Sequence, residues 1–288
     1  NHKFFLNLAF QIAEKNLGKT GRNPSVGSIV VKKNTVISTG VTSLNGRPHA
    51  EYNALNKVKN TTGSTLYTSL EPCVHQGKTP PCTDIIIKKQ IKNVIYGYED
   101  PDYRVYKKAK KILNSKGIKS KFIKSKNYEN FYRSYQINRK FKFPFISAKI
   151  AVSKDYFTIN KKEKWISNVF SRKITHLLRS KHNGIISTSK SVNDDNSLLN
   201  CRLEGFNKYK PDLFIIDLRL RLKKNLLLNK ILKKRKTYLI TYKTNIVKAL
   251  AYKKRGYKII YIDSLNNKND LELLYKKIYK MGYARILV

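Results

Sequence analysis

Acidic side chains are scarce in this chain: 18 aspartates and glutamates stand against 60 lysines and arginines, giving a formal net charge of +42 over 288 residues. A surface of one sign can attract nucleic acid or anionic lipid. Lysine greatly outnumbers arginine, however, and is spread along the whole chain with abundant isoleucine and asparagine, which reads as a general compositional bias rather than a binding stripe. The densest runs, Lys107-Lys108-Ala109-Lys110-Lys111 and Leu232-Lys233-Lys234-Arg235-Lys236, have the form of a solvated helix face or loop. Nucleic acid is therefore not the expected partner, and salt-sensitive nonspecific adhesion is what the charge predicts.

Cysteine is scarce too. Three residues, an odd number, make no disulfide framework, which points to a reducing cytoplasm and leaves Cys201 as a small packing residue. Only 13 glycines and 8 prolines, with no repeat or low-complexity tract, argue against extended disorder. No apolar run is long enough to cross a bilayer. The start of the chain, Lys3 followed by Phe4-Phe5-Leu6-Asn7-Leu8-Ala9-Phe10, has the look of a secretory signal, yet it continues through Gln11-Ile12-Ala13-Glu14-Lys15 without a small-residue cleavage site. An amphipathic helix is expected there, in a soluble protein. With 288 residues and 41% hydrophobic content the chain can bury two ordinary cores.

Against this background one constellation stands out. His49-Ala50-Glu51 is followed by Pro72-Cys73 and, after eight intervening residues, by Pro80-Pro81-Cys82. One imidazole and two thiolates make a three-ligand zinc site with an open fourth position, and a carboxylate beside it can handle the protons of a water. Two thiolates cancel the formal charge of the ion, so its water is acidified less than in an all-histidine site and needs a base, here Glu51. Residues two apart on a helix point to nearly opposite sides, so His49 and Glu51 share a site only if the helix begins at about His49, as Pro48 suggests. Tyr52, Ala54, Leu55 and Val58 fit that helix, the strand-like Thr65-Leu66-Tyr67-Thr68-Ser69-Leu70 carries Glu71-Pro72-Cys73 at its end, and an isoleucine-rich helix follows Cys82. The pattern reads as hydrolytic deamination. Lys78, next to Gly77, puts a cation in a loop that can approach a ligand closely. His75 would close the position that water needs, and is expected to pack or hydrogen-bond in its loop.

The remaining periodicities predict a helix over about 3–17, a strand pair over 26–31 and 36–41 turning at Lys33-Asn34, a strand over 93–98, a helix through about Leu113 and a charged aromatic helix over 128–142. The domain boundary falls near Phe143-Pro144, giving domains 1–143 and 144–288. The second half opens with a strand-like Phe145-Ile146-Ser147-Ala148-Lys149-Ile150-Ala151-Val152-Ser153 and a helix ending at His176-Leu177-Leu178-Arg179, with apolar runs at 184–186, 213–217, 237–240, 258–262 and 284–288. Alternation of this kind predicts a mainly parallel α/β sheet.

The loop Pro72-Cys73-Val74-His75-Gln76-Gly77-Lys78-Thr79-Pro80-Pro81-Cys82 is longer than the two-residue spacing of nucleic-acid and cytidine deaminases and resembles that of the bifunctional riboflavin-biosynthesis deaminase/reductase family. Asn23-Pro24-Ser25-Val26-Gly27 and Asp100-Pro101-Asp102 resemble that family's substrate loops. Lys149-Ile150-Ala151-Val152-Ser153-Lys154-Asp155, Lys164-Trp165-Ile166-Ser167 and the stretch from Ser191 to Arg202 resemble its reductase half. The resemblance implies a cytidine-deaminase-like layered α/β/α domain followed by a dihydrofolate-reductase-like α/β domain. It implies zinc on His49, Cys73 and Cys82, proton transfer by Glu51, and a small phosphorylated pyrimidine held by Asn23, Lys78, Thr79 and Asp100. In the second half it implies NADPH at Ala151, Trp165, Ser191 and Asp195, with Arg179, Leu199 and Arg202 on the substrate. Two arginines converging on a phosphate are physically apt, because each can bind bidentately.

The chain also departs from that pattern. Thr42 stands where a histidine is usual, 102–109 replaces a glycine-rich loop, Glu163 replaces a small hydroxyl residue and Ser197 a proline. The chain stops at Leu287-Val288, where the family's strand would run on into a glycine-rich nucleotide loop, so the reductase domain is expected to be incomplete. Two other readings stay open at this level: a nucleic-acid base deaminase, and a deaminase or scaffold whose second half, or whole, is inactive. A homo-oligomer is compatible with all three.

Overall fold

The computed structural model of the protein describes residues 1–124, 128–158, 165–206 and 210–288. Contacts divide the chain into two compact units, Asn1–Lys142 and Phe143–Val288. The division falls just before Phe143, whose ring meets Tyr275 of the second unit at 5.8 Å. Among the described residues no helix is long and apolar enough to cross a membrane.

In the first unit α1 (His2–Glu14) precedes β1 (Gly27–Lys32) and β2 (Thr35–Val41), followed by α2 (Ala50–Leu55), β3 (Thr65–Thr68), α3 (Cys82–Lys88), β4 (Asn93–Tyr96), α4 (Ala109–Ser115), β5 (Lys119–Phe122) and α5 (Arg133–Phe141). The sheet order is β2-β1-β3-β4-β5, antiparallel on either side of β1 and parallel from β3 to β5. Lys33 and Asn34 both take positive φ, 47° and 63°, the twist that joins adjacent antiparallel strands tightly.

Alternating side chains of the strands feed two cores. Val30, Leu66 and Val94 pack with Ala54, Ile86 and Leu113 of α2, α3 and α4, while Ile29, Tyr67 and Ile95 pack with Phe5, Leu6 and Ala9 of α1. Two glycines let helices approach the sheet: a Cβ on Gly27 would stand 2.0 Å from Ala9 O, and one on Gly40 would stand 2.2 Å from Ala50 O. Gly40 thereby fixes how close the start of α2 comes to β2. Any side chain there would displace the turn that carries His49 and Glu51.

In the second unit β6 (Phe145–Ser147), α6 (Val169–Ser180), β7 (Gly184–Thr188), α7 (Ser189–Asp195), β8 (Asp212–Ile216), β9 (Thr237–Tyr242), α8 (Ile246–Lys254), β10 (Lys258–Ile262), α9 (Lys268–Lys280) and β11 (Arg285–Leu287) build a six-stranded sheet of order β10-β9-β8-β7-β11-β6. Every pair in it is parallel. Helices cover both faces, so neighbouring strand residues bury in opposite cores: Ile185, Leu213, Ile215 and Leu239 in one, Ile186, Phe214, Tyr238 and Ile240 in the other. That double burial explains the near-continuous apolar runs of the sequence.

Three elements differ from expectation. The strand over 145–153 is only Phe145–Ser147, because its edge position gives it one partner, three-residue β11, and beyond it Ile150 is 72% exposed. The helix after His49 stops at Leu55, leaving Val58 in the following turn. The edge strand β5 escaped prediction because Lys119 and Lys121 point outward from it and Ser120 inward, so its alternation is not apolar. Glu163 and Lys164 lie outside the described residues.

Candidate active site and metal centre

His49 is the residue just before α2, with extended backbone (φ −71°, ψ 162°), and Glu51 occupies the first turn. This break solves the facing problem noted above: His49 is not yet on the helix, so its ring and the Glu51 carboxylate are free to converge. Cys73 follows β3, and Cys82 opens α3, where its backbone N–H donates to Cys73 Sγ at 3.2 Å. Nδ1 of His49 lies 3.3 Å from Cys82 Sγ and 3.6 Å from Cys73 Sγ. All three donor atoms fall within 4.8 Å of one another.

The donor set fits zinc. Bonds of about 2.1 Å to nitrogen and about 2.3 Å to sulfur at tetrahedral angles put N and S about 3.6 Å apart, close to the separations found. The two thiols share protons with their surroundings unequally: the hydrogen bond from Cys82 draws Cys73 down to about 4, while the same bond and burial push Cys82 up. His49 is raised by its bond to Cys73. A cation between the sulfurs would favour both thiolates.

Glu51 is 3% exposed, and burial raises its carboxyl to about 7, opposed chiefly by the neighbouring His49. A carboxyl poised near neutrality both accepts and returns a proton readily.

These groups open on a cavity of about 270 Å3 whose lining includes Asn23, Thr42, Arg47, Glu51, Lys78, Asp100, Asp102, Arg104, Tyr135 and Arg139. Asn23 is anchored by its Nδ2 donating to Gly46 O at 3.0 Å, and Lys78 is exposed at the rim. Asp100 is buried and held by the Asp102 N–H at 2.8 Å and the Tyr135 hydroxyl at 3.2 Å. Burial lifts its carboxyl to about 7 despite those bonds. Thr79 is not among the lining residues; its hydroxyl accepts from Arg47 Nη1, and Arg47 is the one that lines the cavity. Thr42 lines it too, with its hydroxyl accepting from the Val26 N–H at 3.0 Å. Nδ1 of His75 is buried and has no hydrogen-bond partner among the described residues.

Sequence reasoning missed Arg47, Arg104, Tyr135, Arg139 and Glu71. Glu71 accepts three backbone N–H bonds, from Asp100 at 3.3 Å, Lys107 at 3.1 Å and Ala109 at 3.1 Å. It thereby stitches the 99–109 loop to the end of β3. Lys107 takes φ 57° there, a conformation glycine adopts freely, so the bulky loop still turns as a glycine-bearing one would. The position of Glu71 directly before Pro72-Cys73 was the available signal.

In the second unit Arg179 and Arg202 meet at one residue, and the expected cofactor residues lie on separate elements. Ala151 lies beyond the carboxyl end of β6, and Ser191 and Asp195 lie on α7 beyond the carboxyl end of β7, with β11 inserted between those strands. The carboxyl edge beside such a reversal of strand order is where open α/β sheets bind ligands. Trp165 is 54% exposed and stacks on the Arg172 guanidinium at 4.7 Å. Arg179 and Arg202 both reach Asn200, donating to its O at 3.1 Å and its Oδ1 at 2.9 Å. His176, which sequence reasoning passed over, sits in the same cluster, 3.1 Å from Asn200 O. Leu199 adopts φ 46° and packs on the core.

Residues 1–98 match the model of the cytidine and deoxycytidylate deaminase zinc-binding region, and residues 144–288 match the RibD C-terminal domain. The chain is 33% identical to the riboflavin biosynthesis protein RibD of Aquifex aeolicus over 99% of its own length and 80% of that protein. It is 28% identical to RibD of Actinobacillus pleuropneumoniae, over 99% and 76% of the two chains. A crystal structure from Thermotoga maritima, of a diaminohydroxyphosphoribosylaminopyrimidine deaminase/5-amino-6-(5-phosphoribosylamino)uracil reductase, superposes with a TM-score of 0.81 at 26% identity, covering 100% of this chain and 80% of that one. The C-terminal domain model is matched through residue 288, and the chain spans 80% of the length of the Aquifex protein.

Proposed function

Because the chain belongs to the RibD family and joins a zinc deaminase to a pyrimidine reductase in riboflavin biosynthesis, we propose how its own residues divide the two reactions. The substrate of the first is 2,5-diamino-6-ribosylamino-4(3H)-pyrimidinone 5′-phosphate, which loses an amino group to water. Zinc on His49, Cys73 and Cys82, when bound, supplies an acidified water and a polarising charge. Glu51 takes a proton from water and returns one to the departing nitrogen, so that ammonia leaves and a carbonyl remains. Asn23, Lys78 and Asp100 hold the pyrimidine ribosyl phosphate, and Thr79 acts on it indirectly by fixing Arg47.

In the second reaction a nicotinamide cofactor, when bound, would supply a hydride to C1′ of the ribosyl group as its C1′–O4′ bond opens, and a proton from water on the freed oxygen would complete the ribityl chain. NADPH is the form we assign, held by Ala151, Trp165, Ser191 and Asp195. Arg179 and Arg202 grip the substrate phosphate, with Leu199 beside it. The enzyme works in the cytoplasm on a small phosphorylated pyrimidine.

The observation that carries this reading is the burial of Glu51 in the cavity that the three zinc-ligand donors line or adjoin. Incubation with the phosphorylated diaminopyrimidinone tests it. Ammonia should appear without NADPH, and NADPH should be consumed only once the deaminated product has formed. Ammonia release from single-stranded nucleic acid but not from the small substrate would overturn the assignment.

A further inference from the structure

The cavity carries more positive charge than the zinc chemistry needs. Arg47, Lys78, Arg104 and Arg139 all line it. Two of these converge on one carboxylate. Asp102, 4% exposed, accepts from Arg104 Nε at 3.0 Å and Nη2 at 2.6 Å, and lies 3.2 Å from Arg139 Nη2. Arg139 is further pinned by its Nε donating to the Tyr135 hydroxyl at 3.1 Å and by lying over that ring at 5.2 Å. Asp102 thus holds two guanidinium groups in place at one wall of the cavity, with Asp100 also near Arg139.

Cavity size adds a second constraint. At about 270 Å3 the hollow falls just below the range of about 300–1,000 Å3 usual for enclosed small ligands. A pyrimidine ribosyl phosphate whose ring reaches Glu51 must therefore extend to the rim. The same three residues, Asp102, Arg104 and Arg139, also border a second, more open hollow of about 890 Å3, with Arg133, Lys140 and Lys142. The rim beyond them is cationic and open to water, suited to a hydrated dianion.

We propose that Arg104 and Arg139, aligned by Asp102, form the phosphate clamp of the deaminase cavity and select a phosphorylated substrate over its free riboside. The clamp rests on the deaminase reading given above. Its two forks are oriented before the ligand arrives, so little ordering remains when phosphate binds, and guanidinium groups match phosphate oxygens bidentately. Lys78 at the same rim is a point charge on a mobile stem and adds attraction without direction.

The test compares the full chain with its Arg104→Gln variant on two substrates, the phosphorylated diaminopyrimidinone ribosylamine and the same compound after phosphate removal. Arg104 is 41% exposed in its side chain, and unchanged zinc content shows that the unit is intact. The variant should raise KM for the phosphorylated substrate about ten- to a hundredfold while kcat and the reaction of the riboside stay within about threefold. Arg104→Lys should recover part of the loss. Equal damage to both substrates, or an undiminished preference for phosphate, overturns the clamp. Binding of inorganic phosphate, followed by calorimetry in an Arg202→Gln background, gives a readout that does not depend on turnover. A Kd weakened at least about tenfold by Arg104→Gln supports the clamp, and an unchanged Kd overturns it. Absence of ammonia from either substrate with the unaltered chain would instead refute the deaminase reading.

Discussion

The backbone N–H of Cys82 donates to Sγ of Cys73 at 3.2 Å. The first residue of α3 therefore presents its N–H to one of the thiols that need to ionise, and the two ligands are tied together across the nine-residue step of the loop. A helix start is a favourable place for a thiolate.

Cys82→Ser weakens one ligand and removes the buried sulfur from the triad. Zinc content should fall well below one ion per chain, and ammonia release should drop by more than about a hundredfold. Reduction of added deaminated product by NADPH should persist, because the second unit has its own core. Metal analysis and the two separate assays check this. Normal zinc loading in the variant would contradict it.

Asp100 makes the stability of the first unit depend on pH. Burial raises its carboxyl to about 7, whereas the unfolded chain releases that proton near pH 4. Between these values the folded state binds the proton that the unfolded state has lost, so its contribution is greatest below about pH 4, declines as pH rises, and is gone above about pH 7. Asp100→Asn has no proton to lose. Urea unfolding at pH 5 and pH 8 should show the unaltered chain losing on the order of 2 kcal/mol more than the variant across that interval.

Arg202→Gln addresses the other reaction. Its guanidinium shares Asn200 with Arg179, so its loss leaves Arg179 in place and halves the cationic pair. KM for the reductase substrate should rise about ten- to a hundredfold with ammonia release unchanged. Steady-state NADPH oxidation and ammonia assays on one preparation decide it, and a parallel fall in both activities would contradict separate sites.

Much of this was readable from residue types. His49, Cys73 and Cys82 could be named because few side chains bind zinc and their spacing across a helix, a strand and a second helix lets them meet. The parallel sheet of the second half was legible because burial on both faces leaves runs such as Leu213-Phe214-Ile215-Ile216. What stayed hidden depends on tertiary arrival. Tyr135 and Arg139 reach the cavity from α5, more than fifty residues beyond Cys82 in sequence, and nothing in their local pattern separates them from a solvated basic helix. Thr79 was placed on the substrate by the family resemblance alone, yet its hydroxyl accepts from Arg47. Strand β5 lacks the apolar alternation that marks a strand, since only its pairing with β4 requires it.

The account stands on Glu51 moving protons beside a bound zinc ion, and the Glu51→Gln variant tests this most directly. Glutamine keeps the shape of the buried side chain and loses the titrating carboxyl. The variant should hold as much zinc as the unaltered chain and release ammonia from the phosphorylated diaminopyrimidinone at least about a hundredfold more slowly. Turnover that survives this change with zinc in place would contradict the account.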